Sequence, residues 1–272
     1  MSIVDLHTHS TASDGRYSPS ELVKLAKERG IEVLAVTDHD NTDGVEEAIE
    51  TGKQVGVRVI RGVELSADDH LNLHILGYGF PAGAEPLSGM IARLKSGRNS
   101  RKYRIHDFLR SKGIDIPLEE VEELAKGGVI GRPHFALVML AHGYVSERKE
   151  AFDLYLDTPE FHSFDNRKPS AEECVRTIKA SGGKVSLAHP YQIVFVREDE
   201  QSLEPLLQRL IGYGLDAIEC YYTKHTPQQQ AEYLALAEKY GLRVTGGSDF
   251  HGERNKPDYP MAGRELDVDW MI

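Results

Sequence analysis

Apolar residues recur along this chain in two alternating rhythms. Short aliphatic and β-branched runs, Ile3-Val4-Asp5-Leu6, Val33-Leu34-Ala35-Val36-Thr37, Val57-Arg58-Val59-Ile60, Val185-Ser186-Leu187-Ala188 and Leu242-Arg243-Val244-Thr245, each lead towards a histidine or a carboxylate. Runs of this length and make-up predict strands. Between them the apolar positions move to helical spacing. Ser18-Pro19-Ser20-Glu21 is a capping box with proline at the first helical position. Leu22, Leu25 and Ala26 continue that helix, and Gly30 stops it. A strand at 32–37, a helix at 43–54, a strand at 57–63 and another at 73–78 complete the first third. This order, with short links, predicts parallel strands with helices outside.

The rhythm changes from about residue 86 to 164. Helical stretches at 87–112, 118–126, 133–142 and 147–156 follow one another without a convincing strand. They predict a helical insertion that caps a barrel mouth; the alternative is ordinary barrel helices with weak strands between them. Strand–helix alternation resumes with a helix at 171–180, ended by Gly182-Gly183. A strand at 184–188, helix at 203–213, strand at 216–222, helix at 227–240 and strand at 243–246 follow. The expected fold is α/β: a distorted (βα)7 TIM-like barrel from 1–85 and 165–272, with a helical insertion domain at 86–164. The polar tail from Gly252 shows no clear element.

Charge narrows the partners. Acidic residues outnumber basic ones 43 to 32, for a formal net charge of -11. That argues against a long nucleic-acid partner, which needs basic surface. A small phosphorylated substrate stays compatible, because bound metals bring their own positive charge. Cys174 and Cys220 sit in apolar stretches without metal-type spacing and read as reduced core thiols. The chain enters a strand at Ile3 with no basic-then-apolar signal, and no apolar run approaches the roughly 18 residues of a membrane helix. A soluble cytoplasmic protein with no membrane partner is expected.

Nine residues able to bind metal stand near the strand ends: His7, His9, Asp14, His39, Glu64, His74, His189, Asp249 and His251. In a strand, residues two apart share a face, so His7 and His9 can reach one ion. An H-x-H pair alone says little. With Ser13-Asp14-Gly15, Thr37-Asp38-His39-Asp40, Gly62-Val63-Glu64 and Gly247-Ser248-Asp249-Phe250-His251, it resembles the PHP (polymerase and histidinol phosphatase) family of metal-dependent phosphoesterases. The resemblance covers roughly 1–90 and 165–252.

The resemblance implies three metal sites in a barrel. His7, His9, Glu64 and Asp249 would hold the first ion. Glu64 would bridge to a second, completed by His74 and His189. Asp14, His39 and His251 would hold the third. Only Glu64 is suited to bridging, since a carboxylate has two oxygens and an imidazole offers one lone pair. The cofactors implied are two to three divalent ions; mixed nitrogen and oxygen donors suit manganese, iron or zinc, with manganese favoured by resemblance. The expected chemistry is in-line attack on phosphorus by water activated between two ions about 4 Å apart. Asp38 could orient His39 from behind or act through water as a catalytic residue; its alternative is a helix-capping carboxylate. Glu219, inside a strand, is expected to support a ligand.

Several residues bear on the substrate. Histidinol-phosphatase members commonly have histidine where Asp14 stands, so Asp14 points to a nucleotidase branch. Around Leu73-His74-Ile75-Leu76-Gly77-Tyr78 and Gly131-Arg132-Pro133-His134 the chain resembles bacterial phosphatases acting on nucleoside 3',5'-bisphosphates, whose relatives also trim short RNA from the 5' end. Arg93, Lys95, Arg98, Arg101, Lys102, Arg104, Arg110 and Lys112 crowd the segment before it. Arg98 and Arg101 share a helix face and could grip a non-reacting phosphate; the alternative is a solvated charged face. Arg132 and His134 at a helix start, and Lys224 and His225 beyond the 216–222 strand, are further candidate substrate contacts. His70, His106, His142 and His162 match no motif and read as surface or structural. A small phosphorylated nucleotide or short oligonucleotide is the expected substrate. Histidinol phosphate, or another small phosphomonoester, is the rival substrate. A metal-stabilised binding protein without activity is the rival of another class. Amidohydrolase chemistry would call for a bridging lysine, and none is placed for it.

Overall fold

The computed structural model describes residues 1–272 except 126–129, 166–167, 194–195, 197–201, 254 and 272, and describes 98, 99, 125, 162, 163 and 165 by backbone alone. Lys126, the expected end of one helix, and the side chains of Arg98 and His162 thus lie outside the described residues.

The first strands alternate with helices: β1 (Ser2–Thr8), α1 (Pro19–Glu28), β2 (Val33–Val36), α2 (Val45–Val55), β3 (Arg58–Ser66) and β4 (His74–Tyr78). The capping box forms as expected, with Ser18 and Glu21 exchanging side-chain and backbone bonds at the start of α1. Helices follow: α3 (Glu85–Ser111), α4 (Leu118–Ala125), α5 (Arg132–Ala141), α6 (Arg148–Ala151), a π-helical turn (Phe152–Leu156) and α7 (Pro159–Asp165). The chain then runs through α8 (Ala171–Ala180), β5 (Lys184–Leu187), α9 (Glu204–Tyr213), β6 (Ala217–Tyr222), α10 (Pro227–Tyr240), β7 (Arg243–Gly247) and β8 (Arg264–Leu266).

The eight strands form one sheet in the order β7-β6-β5-β4-β3-β2-β1-β8. Beyond β1, Thr8 bridges Phe250 in parallel, and Asp249 N–H donates to the His7 carbonyl at 2.8 Å. The sheet therefore nearly closes into a barrel. A Cβ on Gly247 would lie 2.3 Å from His7 Cβ, so this closure depends on glycine. Asp5 ties the same seam, accepting from Ser248 N–H at 2.9 Å and Ser248 Oγ at 2.6 Å.

Two features depart from the sequence reading. The expectation of parallel strands fails at β4, which runs antiparallel to both β3 and β5. The link from Ala67 to Leu73 is too short for the dozen or so residues of a parallel crossover, so a hairpin results. The tail also contains structure: β8 pairs antiparallel with β1, Ser2 opposite Leu266. Val268 and Met271 join Val4, Leu6, Ile60 and Tyr78 in the core. A three-residue strand is too short to show alternation in sequence.

The chain divides into two compact units, Met1–Ala92 with Lys168–Ile272, and Arg93–Arg167, with α3 crossing the first boundary. The second unit has its own core, including Ile105, Phe108, Leu109, Phe135, Met139 and Phe161. Several of its cations pair within the unit: Lys102 with Glu122 at 2.7 Å, Lys112 with Glu160 at 2.6 Å and Arg110 with Asp115 at 3.4 Å. No strand occurs among its described residues. Among all described residues, no helix is long and apolar enough to cross a membrane.

Candidate metal centre

The nine candidate ligands come from six strands and the turns beyond them. His7 lies in β1 and His9 just past it; their alternation turns both rings to one face. His39 follows β2 and bridges Glu64 of β3. His189 follows β5, and Asp249 and His251 follow β7. The reversed β4 explains His74: an antiparallel strand starts where β3 ends, so its first residue arrives at the ligand end.

Four donors form the tightest group. His7 Nε2 and His9 Nε2 each lie 3.3 Å from Glu64 Oε2. Asp249 Oδ1 lies 3.6 Å from His7 Nε2 and 3.2 Å from His9 Nε2. Tetrahedral donors about 2.1 Å from an ion would stand about 3.4 Å apart. The other Glu64 oxygen, Oε1, lies 2.8 Å from His74 Nδ1 and 3.0 Å from His189 Nε2. One carboxylate thus offers an oxygen to each of two ligand groups. Asp14 Oδ1 lies 3.2 Å from His251 Nε2 and 4.0 Å from His39 Nε2. Asp14 is 54% exposed, making this third group the open one. His39 Nδ1 also comes within 3.0 Å of Glu64 Oε2, so this ring stands between the groups.

The donors fit divalent ions on physical grounds. His7 Nε2, His9 Nε2 and Glu64 Oε2 are buried without a hydrogen-bond partner, at residues with no exposed surface. Buried polar atoms are nearly always satisfied, so three converging orphans mark a place for a cation. Metal-free, the cluster holds protons instead. Burial alone would depress His9, but the Asp249 and Glu64 carboxylates outweigh it and push its pKa up to about 9. His7 is likewise raised, burial being overcome by Glu219 and Glu64. Burial depresses His74 to about 4. Two candidate ligands also sit in the left-handed region, His189 at φ 24° and Asp249 at φ 56°, a strain that surrounding bonds must hold.

Those bonds are visible. Glu219 behaves as the sequence reading expects: Oε1 lies 3.1 Å from His7 Nδ1, and Oε2 accepts the His189 N–H at 2.7 Å. Asp38 accepts from Ser10 N–H at 2.7 Å, Ser10 Oγ at 2.6 Å and Ser13 Oγ at 2.6 Å. It thereby fixes the loop carrying Asp14. It does not cap α2, whose cap is Gly44. Two partners of Asp249 had no sequence signal. Tyr222 Oη donates to Asp249 Oδ2 at 3.0 Å, and Lys256 Nζ approaches the same oxygen at 3.1 Å. Both are long-range or tail contacts that no local spacing announces.

The candidate substrate contacts scatter. Lys224 is partly exposed, 3.7 Å from Asp258. His225 is buried: its Nδ1 bonds the Cys220 carbonyl at 3.0 Å, its ring contacts Tyr222 and Tyr233, and its Nε2 has no hydrogen-bond partner. A turn from Tyr222 O to His225 N–H folds it inward. The other four belong to the helical unit. Arg132 donates to the Leu156 carbonyl at 3.0 Å and Asp157 Oδ1 at 2.6 Å. His134 Nδ1 accepts the Gly131 N–H at 3.0 Å, capping α5. Arg101 is partly buried on α3. Arg98 has no described side chain. His106 and His142 serve locally, bonding the Ile116 carbonyl and Glu120, and His70 contacts Arg209.

A barrel that gathers imidazoles and carboxylates around one glutamate shared by two groups of donors is the build of a metal-dependent hydrolase. Residues 5–257 match the family model described as the PHP domain, and the chain belongs to the PHP family. It is a metal-dependent phosphoesterase, a hydrolase that cleaves phosphoesters. A 5'-3' exoribonuclease of Haemophilus influenzae is 34% identical over 248 residues, spanning 91% of this chain and 89% of that protein. A phosphoribosyl 1,2-cyclic phosphate 1,2-diphosphodiesterase of Eggerthella lenta is 32% identical over 92% of this chain and 95% of its own length. A 3',5'-nucleoside bisphosphate phosphatase of Chromobacterium violaceum is 29% identical, over 92% of this chain and 88% of its own length. The crystal structure of a Bifidobacterium adolescentis protein classed as a metal-dependent phosphoesterase superposes with a TM-score of 0.73 at 30% identity, covering 98% of this chain and 93% of that one. Bound divalent ions would lower the pKa of water and neutralise phosphoryl oxygens.

Proposed function

We propose that the chain removes the 3'-phosphate from nucleoside 3',5'-bisphosphates, leaving the 5'-nucleotide, and also trims short 5'-phosphorylated oligoribonucleotides. It uses two to three divalent ions, manganese foremost, held as follows: His7, His9, Glu64 and Asp249; Glu64, His74 and His189; Asp14, His39 and His251. The carrying observation is Glu64, whose two oxygens face two separate ligand groups within 3.3 Å. A carboxylate at Asp14, where histidinol phosphatases commonly have histidine, supports the nucleotide branch. The names of the Haemophilus and Chromobacterium relatives support the two activities. We place the protein in the cytoplasm, where free, buried Cys174 and Cys220 stay reduced.

The test is phosphate release by manganese-loaded protein from adenosine 3',5'-bisphosphate, beside histidinol phosphate and a ribose 1,2-cyclic phosphate. Selective release from the bisphosphate, with 5'-AMP as product, is expected. Turnover of only one of the others would overturn the substrate. Arg101→Ala and Arg132→Ala are expected to raise KM for the bisphosphate more than for an aryl phosphate, by their effect on the remote phosphate. Equal effects on both would remove these arginines from recognition.

A further inference from the structure

The segment after β7 stays beside the ligands. Glu253 accepts from Tyr17 Oη at 2.8 Å, and Asn255 Nδ2 donates to the Asp14 carbonyl at 2.9 Å. Lys256 then brings its ammonium to 3.1 Å from Asp249 Oδ2. Its Nζ also lies 5.2 Å from the Tyr259 ring centroid, and Lys224 Nζ lies 4.9 Å from the same centroid. A stretch that reads as a featureless tail thus gathers two lysines and a tyrosine near one metal ligand.

The Lys256 contact does more than steady Asp249. The inner oxygen of that carboxylate faces His7 and His9, and its outer oxygen already receives the Tyr222 hydroxyl at 3.0 Å. The ammonium is a second donor on an atom that has one. Lys256 is 35% exposed and carries three donors, so it can hold Asp249 and still meet an incoming anion. An ion that shares the charge of Asp249 would leave the ammonium to an anion arriving there. Lys224 is similarly available: its partner, Asp258, is 79% exposed and 3.7 Å away, a weak surface pair that a phosphate can displace.

We propose that Lys256, beside Lys224 across the Tyr259 ring, binds the reacting phosphate of the substrate. The proposal rests on the phosphoesterase reading and names the chain's own cations for it. It distinguishes Lys256, a substrate-binding residue, from Tyr222, which positions Asp249.

Inorganic phosphate is the probe, because it is independent of the choice of ester. Calorimetry on manganese-loaded wild type, Lys256→Gln, Lys256→Arg and Tyr222→Phe gives the phosphate Kd, and elemental analysis gives manganese per chain. Lys256→Gln is expected to raise the phosphate Kd about tenfold, the loss of one charge-assisted bond, with manganese content unchanged. Lys256→Arg should recover most of the affinity, and Tyr222→Phe should lower manganese content instead. An unchanged Kd in Lys256→Gln, or a loss of manganese matching that of Tyr222→Phe, would overturn the proposal. Wild type that hydrolyses a different phosphoester, yet shows the Kd shift, overturns the bisphosphate assignment and supports Lys256.

Discussion

The candidate ligands of the barrel and the helical unit are both rich in charge, yet they are built on opposite terms. In the barrel, His7, His9 and Glu64 are wholly buried and leave donor atoms without hydrogen bonds. In the helical unit, Lys102, Lys112 and Arg110 have carboxylate partners of their own, and Arg132 donates to Leu156 and Asp157. A buried orphan costs free energy that only a ligand returns, whereas a paired surface cation costs little and stabilises little. The difference teaches where function can be read directly. The barrel centre gathers donor atoms that a cation would satisfy, whereas these four cations of the helical unit already meet acids of their own unit.

The strongest break of this contrast is Glu64→Gln. The amide keeps the size and removes the charge that faces two ligand groups. Phosphoester hydrolysis should fall by about a thousandfold or more, with loss of bound metal. Retained activity would mean that Glu64 bridges nothing. Next is Glu219→Gln, which weakens the bond orienting His7. An effect of about 10–100-fold on metal affinity is expected, read by competition with a coloured chelator. If affinity stays at the wild-type level, Glu219 is no more than a packing residue.

Proton competition gives a third test. In metal-free protein the His9 pKa is raised from 6.5 to about 9. Its protonated form therefore contributes stability that is fully present below about 6.5 and is lost as pH rises towards 9. Ions need the neutral imidazole, so apparent manganese affinity should climb across the same window. Thermal melts with and without manganese should diverge with rising pH, by about 3 kcal/mol at a hundredfold excess over Kd. Melts that keep a constant gap from pH 6.5 to 9 would contradict the proton–metal exchange. The smallest effect belongs to the helical unit. His134→Ala removes a helix-end acceptor and should cost about 1 kcal/mol or less, with metal content unchanged. A fall in manganese there would erase the contrast between the two regions.

The convergence of the nine candidate ligands was legible because each closes an apolar run or sits in a short motif, and the strand period turns His7 and His9 to one face. Glu219 was legible as a carboxylate inside a strand beside the ligands. What escaped lies in contacts between distant residues. The reversal of β4 comes from a short link whose geometry, not its composition, decides direction. Lys256 reaches Asp249 through a tail with no periodic pattern. Asp38 takes its partners from Ser10 and Ser13, 28 and 25 residues away, rather than from its neighbour His39. His225 reads as a loop residue beyond β6, but a turn drives it into the core.

The central claim is that Glu64 joins two ion sites in one buried centre. Its most direct test is a manganese titration of chelator-stripped wild type and Glu64→Gln, counting equivalents bound per chain. Two to three equivalents in the wild type, falling by more than one in the variant, is the predicted result. No manganese bound by the wild type, or equal equivalents in both proteins, would contradict it.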